Sequence, residues 1–202
     1  MPAATWALFA LLVALVHGNP SPADTAAAFL GVVLPLLAGV LAASLVVDDP
    51  ALELLLAAPR APWRTLLERL ALLLAVVAAS AIAYQILLVA LAVDLSSLGG
   101  LTARQLVWLV PSLAVMGLGS VAGLGFGQGT MGALAVSLLW IVELLLRGQM
   151  LASPWARHLF LFTGALYPGW PYLAANWLCL LGAAAALVLA ASLMLRRQER
   201  YL

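Results

Sequence analysis

Long apolar stretches, separated by short clusters of charge, dominate this 202-residue chain. It has nine basic and eight acidic residues, so 8% of its residues are charged, against about a quarter in an ordinary soluble domain. A soluble fold of this size could not bury so much apolar surface, whereas about 20 apolar residues in a helix cross a bilayer. The sequence therefore predicts an all-α, polytopic integral membrane protein with one transmembrane domain, residues 1–202.

Breaks in the apolar stretches divide the chain into six predicted spans. Their approximate limits are 3–17, 25–47, 66–93, 106–122, 130–146 and 173–195. The segment 147–172 contains Pro154, Pro168 and Pro171, too many helix breakers for one straight span, so we predict a broken extracellular segment there. The arginines in the short loops favour a cell-membrane (inner or plasma membrane) protein with both termini in the cytoplasm.

The composition also excludes several classes of protein. The net charge of +1 provides no long-range field for a nucleic-acid partner. Cys179 is the single cysteine, and His17 and His158 lie far apart, so neither a disulfide framework nor a metal site is expected. No nucleophile, base and acid can be assembled into a catalytic set. We therefore expect a chain that is not an enzyme and holds no cofactor.

The most specific signal is a predicted amphipathic helix, about 50–58, between the second and third spans. An acidic pair and a proline at its start suit a first helical turn and the positive end of the helix dipole. Three leucines then share one face, and an acidic residue lies off that face. A proline ends the helix, and a basic residue follows it. In chain order these residues are Asp48, Asp49, Pro50, Leu52, Glu53, Leu55, Leu56, Pro59 and Arg60.

Such a helix lies on the cytoplasmic membrane surface, either as a plain interfacial helix or as an element that docks a cytoplasmic partner. Further residues continue the pattern into the third predicted span: Trp63, Leu66, Leu67, Arg69 and Leu70. Near its end the chain has a Trp-Pro pair, an Asn-Trp-Leu group and a basic tail: Trp170, Pro171, Asn176, Trp177, Leu178 and 196–202. Taken together, the pattern resembles the type-2 permeases of ATP-binding-cassette (ABC) transporters. More distantly, it is similar to the small permease subunit of the cytochrome c maturation haem exporter.

The resemblance implies the permease subunit of an ABC-type exporter for a hydrophobic or amphipathic substrate. The implied partners are a separate ATP-binding subunit that hydrolyses ATP, a second permease (the same chain or a homologue) and membrane lipid. It also implies that one group of residues couples the chain to the ATPase: Asp49, Leu52, Glu53, Leu55, Leu56, Pro59 and Arg60. The family places a broken, partly re-entrant segment between its last two spans, where 147–172 lies. A non-transporting scaffold subunit and a membrane-embedded enzyme are the alternatives.

Glycines recur every four residues at the end of the fourth predicted span, at Gly119, Gly123 and Gly127. This spacing lets helix backbones approach closely in lipid, or marks a flexible junction between two spans. A phosphate-binding loop is rejected because no Lys-Ser or Lys-Thr pair follows and both flanks are membrane helix.

Few polar side chains lie at membrane depth, and three of them are candidates for a substrate path. Glu143 forms either an ion pair with Arg147, four residues on, or a site on the substrate route. Tyr84 and Gln85 satisfy each other or a neighbouring helix, or line the path. His158, next to an arginine, is a candidate contact for a haem or a lipid headgroup.

Overall fold

The computed structural model describes residues 27–45, 47–48, 62–93 and 96–196. Within these ranges the backbone is helical apart from connecting turns, and it contains no β-strand. The predicted first span, 3–17, and the predicted amphipathic helix, 50–58, lie outside the described residues.

Seven α-helices follow one another in the described ranges. They are α1 (Leu34–Ser44), α2 (Pro62–Ala90), α3 (Leu101–Phe126), α4 (Gly129–Leu145), α5 (Arg147–Ala152), α6 (Thr163–Leu166) and α7 (Leu173–Arg196). A π-helical turn, Phe29–Val33, leads directly into α1, and short 3-10 turns cover Ser96–Leu98 and Ala156–His158.

Three of these helices are long and apolar enough to cross a membrane: Trp63–Ala90 within α2, and α3 and α7 over their whole lengths. The shortest of the three has 24 residues, so at 1.5 Å per residue each is about 36 Å long or more, against roughly 30 Å of hydrocarbon. They correspond to the third, fourth and sixth predicted spans. Helices Phe29–Ser44 and α4, the second and fifth predicted spans, are apolar but shorter. The all-helical fold is confirmed for the described residues, and six spans remain a prediction.

The helix that contains α1 widens into a π-helical turn over Phe29–Val33 because of a proline. Pro35 is the second residue of α1, has no backbone N–H to donate, and its ring clashes with the carbonyl of Gly31 in regular α-helical geometry. The backbone N–H of Leu34 reaches back five residues to the carbonyl of Phe29, which is the π-helical bond. The local widening accommodates the proline without ending the helix.

Helix α3 runs through most of the glycines that suggested a junction. The sequence predicts a span that ends near residue 122, whereas α3 continues to Phe126. Gly127 then takes the left-handed conformation, with φ of +66°, that commonly ends a helix. Gln128 is extended, and α4 begins at the next residue.

Helices α1, α3 and α4 meet at a seam of small residues, which we call the glycine seam (Gly39, Ala43, Gly119, Gly123 and Gly132). A Cβ atom on Gly119 would lie well inside 3.0 Å of the Gly39 carbonyl oxygen, and one on Gly123 would lie as close to the Ala43 carbonyl oxygen. A Cβ on Gly132 would lie 2.6 Å from the backbone nitrogen of Gly123. Backbone therefore packs directly on backbone along this seam, the arrangement that small residues allow between membrane helices.

The contacts of α1 with α3 fix which ends of the helices lie together. Gly31 faces Val107 near the start of both helices, and Ala43 faces Gly123 near their ends, so α1 and α3 run in the same direction. The chain must then alternate in direction through α2 and α4. Residues 96–98 and 147–172 accordingly lie at one end of the bundle, which we call the return end. Asp48 and Gly127 lie at the other, the Asp48 end.

Candidate functional site

The chain between α4 and α7, residues 147–172, folds back onto the bundle, and we call it the return segment. Phe160 and Phe162 have 0% and 1% of their surfaces exposed, and their rings meet edge to face with centroids 5.4 Å apart. Gly164 packs against Val107 of α3, and Ala165 packs against Gly31 of the π-helical turn. The middle of the segment, residues 160–165, is therefore part of the hydrophobic core at the return end.

Glu143 connects α4 to this segment. Its side chain is 5% exposed, and its Oε2 accepts a hydrogen bond of 3.0 Å from the backbone N–H of Leu161. The alternative that we predicted, an ion pair with Arg147, is not among the described contacts of Glu143. The reason is that α4 ends at Leu145: the backbone of Leu146 leaves helical geometry, and Arg147 begins α5 as an exposed residue.

Asn176 holds the return segment from the side of α7. It is fully buried in the first turn of that helix, and its Nδ2 donates to the carbonyl oxygens of Arg157, at 3.2 Å, and of Phe160, at 3.0 Å. Thr163 donates a further bond to the Phe160 carbonyl at 2.9 Å. From the sequence, Asn176 is only part of a family pattern. A buried amide in an apolar helix was the signal for a role in structure, because such a group needs partners.

Trp140, one turn before Glu143 on α4, makes a second connection. Its indole Nε1 donates to the carbonyl oxygen of Val32 in the π-helical turn at 3.0 Å, and its ring meets that of Phe162 edge to face at 5.9 Å. Helix α4 thus contacts both the π-helical turn and the return segment through two side chains on one face. The sequence suggests only packing for this tryptophan.

The predicted path residues Tyr84 and Gln85 belong to a different part of the bundle. Gln85 exchanges amide hydrogen bonds of 2.9 and 3.3 Å with Gln105 of α3, which also accepts a bond from Trp108. Tyr84 packs on Phe29, with ring centroids 4.3 Å apart. Both side chains are buried, and no described contact brings either of them to Glu143.

The Asp48 end has its own polar connection. Asp48 Oδ1 accepts a hydrogen bond of 3.1 Å from the backbone N–H of Gly129, the first residue of α4, and so supplies a helix cap that Gln128 does not. The sequence assigns Asp48 to the start of the helix at 50–58, whereas the structure brings it to α4. At the same end of the bundle, Arg69 of α2 donates a hydrogen bond to the carbonyl oxygen of Leu45, which follows α1.

The predicted coupling residues lie outside the described part of the chain: Asp49, Leu52, Glu53, Leu55, Leu56, Pro59 and Arg60. Of the three predicted packing glycines, Gly119 and Gly123 lie in the glycine seam, whereas a Cβ on Gly127 would meet nothing within 4 Å. Gly127 therefore ends α3 and does not pack against another helix.

The polar groups described above make hydrogen bonds to one another and to the backbone. Among the described residues, no three His, Cys, Asp or Glu side chains are grouped so that they could hold a metal ion, and Cys179 is exposed. Comparison of the chain with models of known protein families, with curated proteins and with solved structures gave no match.

Proposed function

We propose that this protein is the permease subunit of an ABC-type exporter and moves a hydrophobic or amphipathic substrate with energy from a separate ATP-hydrolysing subunit. The observation that carries the proposal is the return segment: a broken helical stretch before the last helix that packs into the bundle through Phe160 and Phe162. The resembling family has a broken, re-entrant segment at this place in its order of spans. The proposal includes six spans, with both termini and the Asp48 end in the cytoplasm.

Helix α4 offers a physical route from one end of the bundle to the other. At its first residue it is capped by Asp48, which directly precedes the predicted coupling helix. At its last turn Glu143 binds the backbone of the return segment. A displacement of the chain at Asp48 would therefore move α4 along its axis, and α4 would move the return segment. ATP binding to a docked ATPase would supply that displacement.

A second permease, identical or homologous, completes the proposed transporter. The outer face of α4 carries Leu134, Leu138 and Leu145, each more than 60% exposed, and the outer faces of α2 and α7 are similarly apolar. These faces suit contact with lipid and with another membrane subunit. The substrate would pass beside the return segment, where Glu143 is the polar group nearest the end of α4.

Two observations lead us to prefer the transport proposal to the two alternatives. A scaffold subunit could use the glycines to pack against a larger complex, but Gly119 and Gly123 already pack on α1 of the same chain. The enzyme alternative needs polar groups that converge at one depth. Within the described bundle, Glu143 binds Leu161, and Gln85 binds Gln105, so the two belong to separate clusters.

Co-purification tests the proposed coupling helix directly. The full chain is tagged, expressed in its native host and purified from membranes, and ATPase partners are identified by mass spectrometry. Glu53→Arg and Leu55→Asp should each remove the ATPase while the chain still inserts. Glu68→Arg is the matched control, because Glu68 is an exposed carboxylate outside the predicted helix. Retention of the ATPase by both Glu53→Arg and Leu55→Asp, or recovery of no ATPase with the unaltered chain, would refute the proposal.

A further inference from the structure

The return segment presents an arginine, Arg157, whose guanidinium has no acidic partner among the described residues. The Arg157 guanidinium carbon lies 4.2 Å from the centroid of the Tyr172 ring, and its Nε lies 3.4 Å from His158 Nε2. Among the described residues, the terminal nitrogens of the Arg157 guanidinium have no acceptor. A guanidinium has five N–H donors, and stacking on a ring holds its plane fixed while its terminal donors stay available.

His158 adds a second donor without an acceptor. Because Nε2 of His158 accepts from Arg157, the neutral ring carries its proton on Nδ1. That Nδ1 is buried and has no hydrogen-bond partner among the described residues. A buried donor without an acceptor is costly. Next to it, the terminal donors of the half-buried Arg157 also have no acceptor among the described residues, so a ligand rich in acceptor oxygens matches this part of the return segment.

The position of the site indicates the kind of ligand. Trp170 and Tyr172 lie just before α7 begins, and their rings meet with centroids 5.3 Å apart. Arg157 stacks on the second of these rings. Aromatic side chains at the end of a membrane helix lie at the depth of the lipid headgroups. Asn176 fixes the backbone of Arg157 through its carbonyl oxygen, so the arginine is presented from a rigid support.

We propose that Arg157, His158 and Tyr172 form a binding site for a phosphate-bearing headgroup, in which the phosphate oxygens accept hydrogen bonds from the terminal nitrogens of the Arg157 guanidinium. Phosphate matches the planar fork of a guanidinium with two parallel hydrogen bonds. The site does not depend on the proposed transport function, because binding at this surface needs neither ATP nor an ATPase.

Titration of the purified full chain in detergent tests the site with dioctanoyl phosphatidic acid as the probe and tryptophan fluorescence as the signal. Dioctanoyl glycerol, which has the same acyl chains and no phosphate, should bind at least about tenfold more weakly. Arg157→Gln should weaken binding of the phosphatidic acid by at least about tenfold, since it removes a charge-assisted, two-bond contact. The affinity of Arg157→Lys should lie between those of the unaltered chain and Arg157→Gln, because lysine keeps the charge but cannot make two parallel hydrogen bonds.

Arg147→Gln is the matched control, because Arg147 is an exposed arginine of the same segment. It should change the affinity by no more than about twofold. An equal loss in Arg157→Gln and Arg147→Gln, equal binding of the phosphate-free lipid, or the absence of saturable binding would overturn the site. If Arg157→Gln does not fold, the comparison of Arg157→Lys with Arg147→Lys decides in the same way.

Competition by inorganic phosphate distinguishes two sources of the ligand. Displacement of the phosphatidic acid would show that the phosphate group alone is recognised, so a free phosphate compound can occupy the site. Failure to displace it, with the Arg157 dependence intact, would assign the site to an amphiphile whose acyl chains also bind. Both results uphold a phosphate site and name its occupant.

Discussion

The glycine seam makes a sharp prediction, because the same substitution on the same helix should have different effects on stability at two positions. Gly119→Ala places a methyl group well inside 3.0 Å of the Gly39 carbonyl oxygen, a backbone atom that cannot rotate away. Gly125→Ala places its methyl group 3.8 Å from the end of the Met194 side chain, an ordinary contact. Both glycines lie inside α3.

The magnitudes follow from these contacts. Alanine stabilises a helix interior by about 1 kcal/mol relative to glycine, and this gain applies to both variants. Overpacking costs about 1–3 kcal/mol, and it applies only to Gly119→Ala. We therefore expect Gly125→Ala to be neutral or more stable than the unaltered chain, and Gly119→Ala to be less stable than Gly125→Ala by about 1–3 kcal/mol. At this chain length, 1 kcal/mol corresponds to a shift of roughly 3 °C in the melting temperature.

Thermal unfolding of the two variants in the same detergent, followed by circular dichroism, measures the difference. Gly123→Ala should behave as Gly119→Ala does, because its methyl group would meet the Ala43 carbonyl oxygen. If Gly119→Ala and Gly123→Ala melt at or above the temperature of Gly125→Ala, α1 and α3 do not pack backbone to backbone, and the arrangement described for the seam is wrong.

Two further predictions concern the ends of α4. Glu143→Leu should destabilise the chain by about 1–3 kcal/mol, because the buried N–H of Leu161 loses its acceptor. Glu143→Gln keeps an acceptor oxygen and should destabilise the chain much less. Equal melting temperatures of the two variants would contradict the hydrogen bond between Glu143 and Leu161. Asp48→Ala should lower the free energy of unfolding by about 0.5–2 kcal/mol through loss of the α4 cap. Asp48→Asn keeps a capping oxygen and should keep most of that stability. Amide hydrogen exchange at residues 129–132 should become faster in Asp48→Ala and not in Asp48→Asn, because these residues form the capped first turn of α4. Unchanged exchange in Asp48→Ala would contradict the cap.

The sequence predicts the position of the helices better than their contacts. The predicted limits 173–195 differ by one residue from α7, because a Pro-rich stretch precedes that helix and a basic cluster follows it. The predicted end near residue 122 misses the end of α3 by four residues. Glycine ends a helix only where the backbone adopts φ above zero, and among the glycines at the end of α3 that occurs at Gly127. Spacing does not reveal which glycine will do so.

The polar contacts of the candidate site could not be predicted in the same way. Glu143 and Arg147 are four residues apart, and an uninterrupted helix would bring them together, but the break at Leu146 separates them. Asp48 and Gly129 lie 81 positions apart, and Trp140 and Val32 lie 108 apart. Contacts over such separations depend on which helices become neighbours.

Apolar stretches of membrane length, bounded by charge and proline, were enough to determine that this chain forms long apolar helices, because hydropathy and backbone breakers act locally along the sequence. The tertiary structure alone decided that the return segment enters the core, that Glu143 binds its backbone and that Asp48 caps α4. The physical reason is that a buried polar group must find a partner wherever the folded chain supplies one, and the fold, more than the distance along the sequence, determines which groups become neighbours.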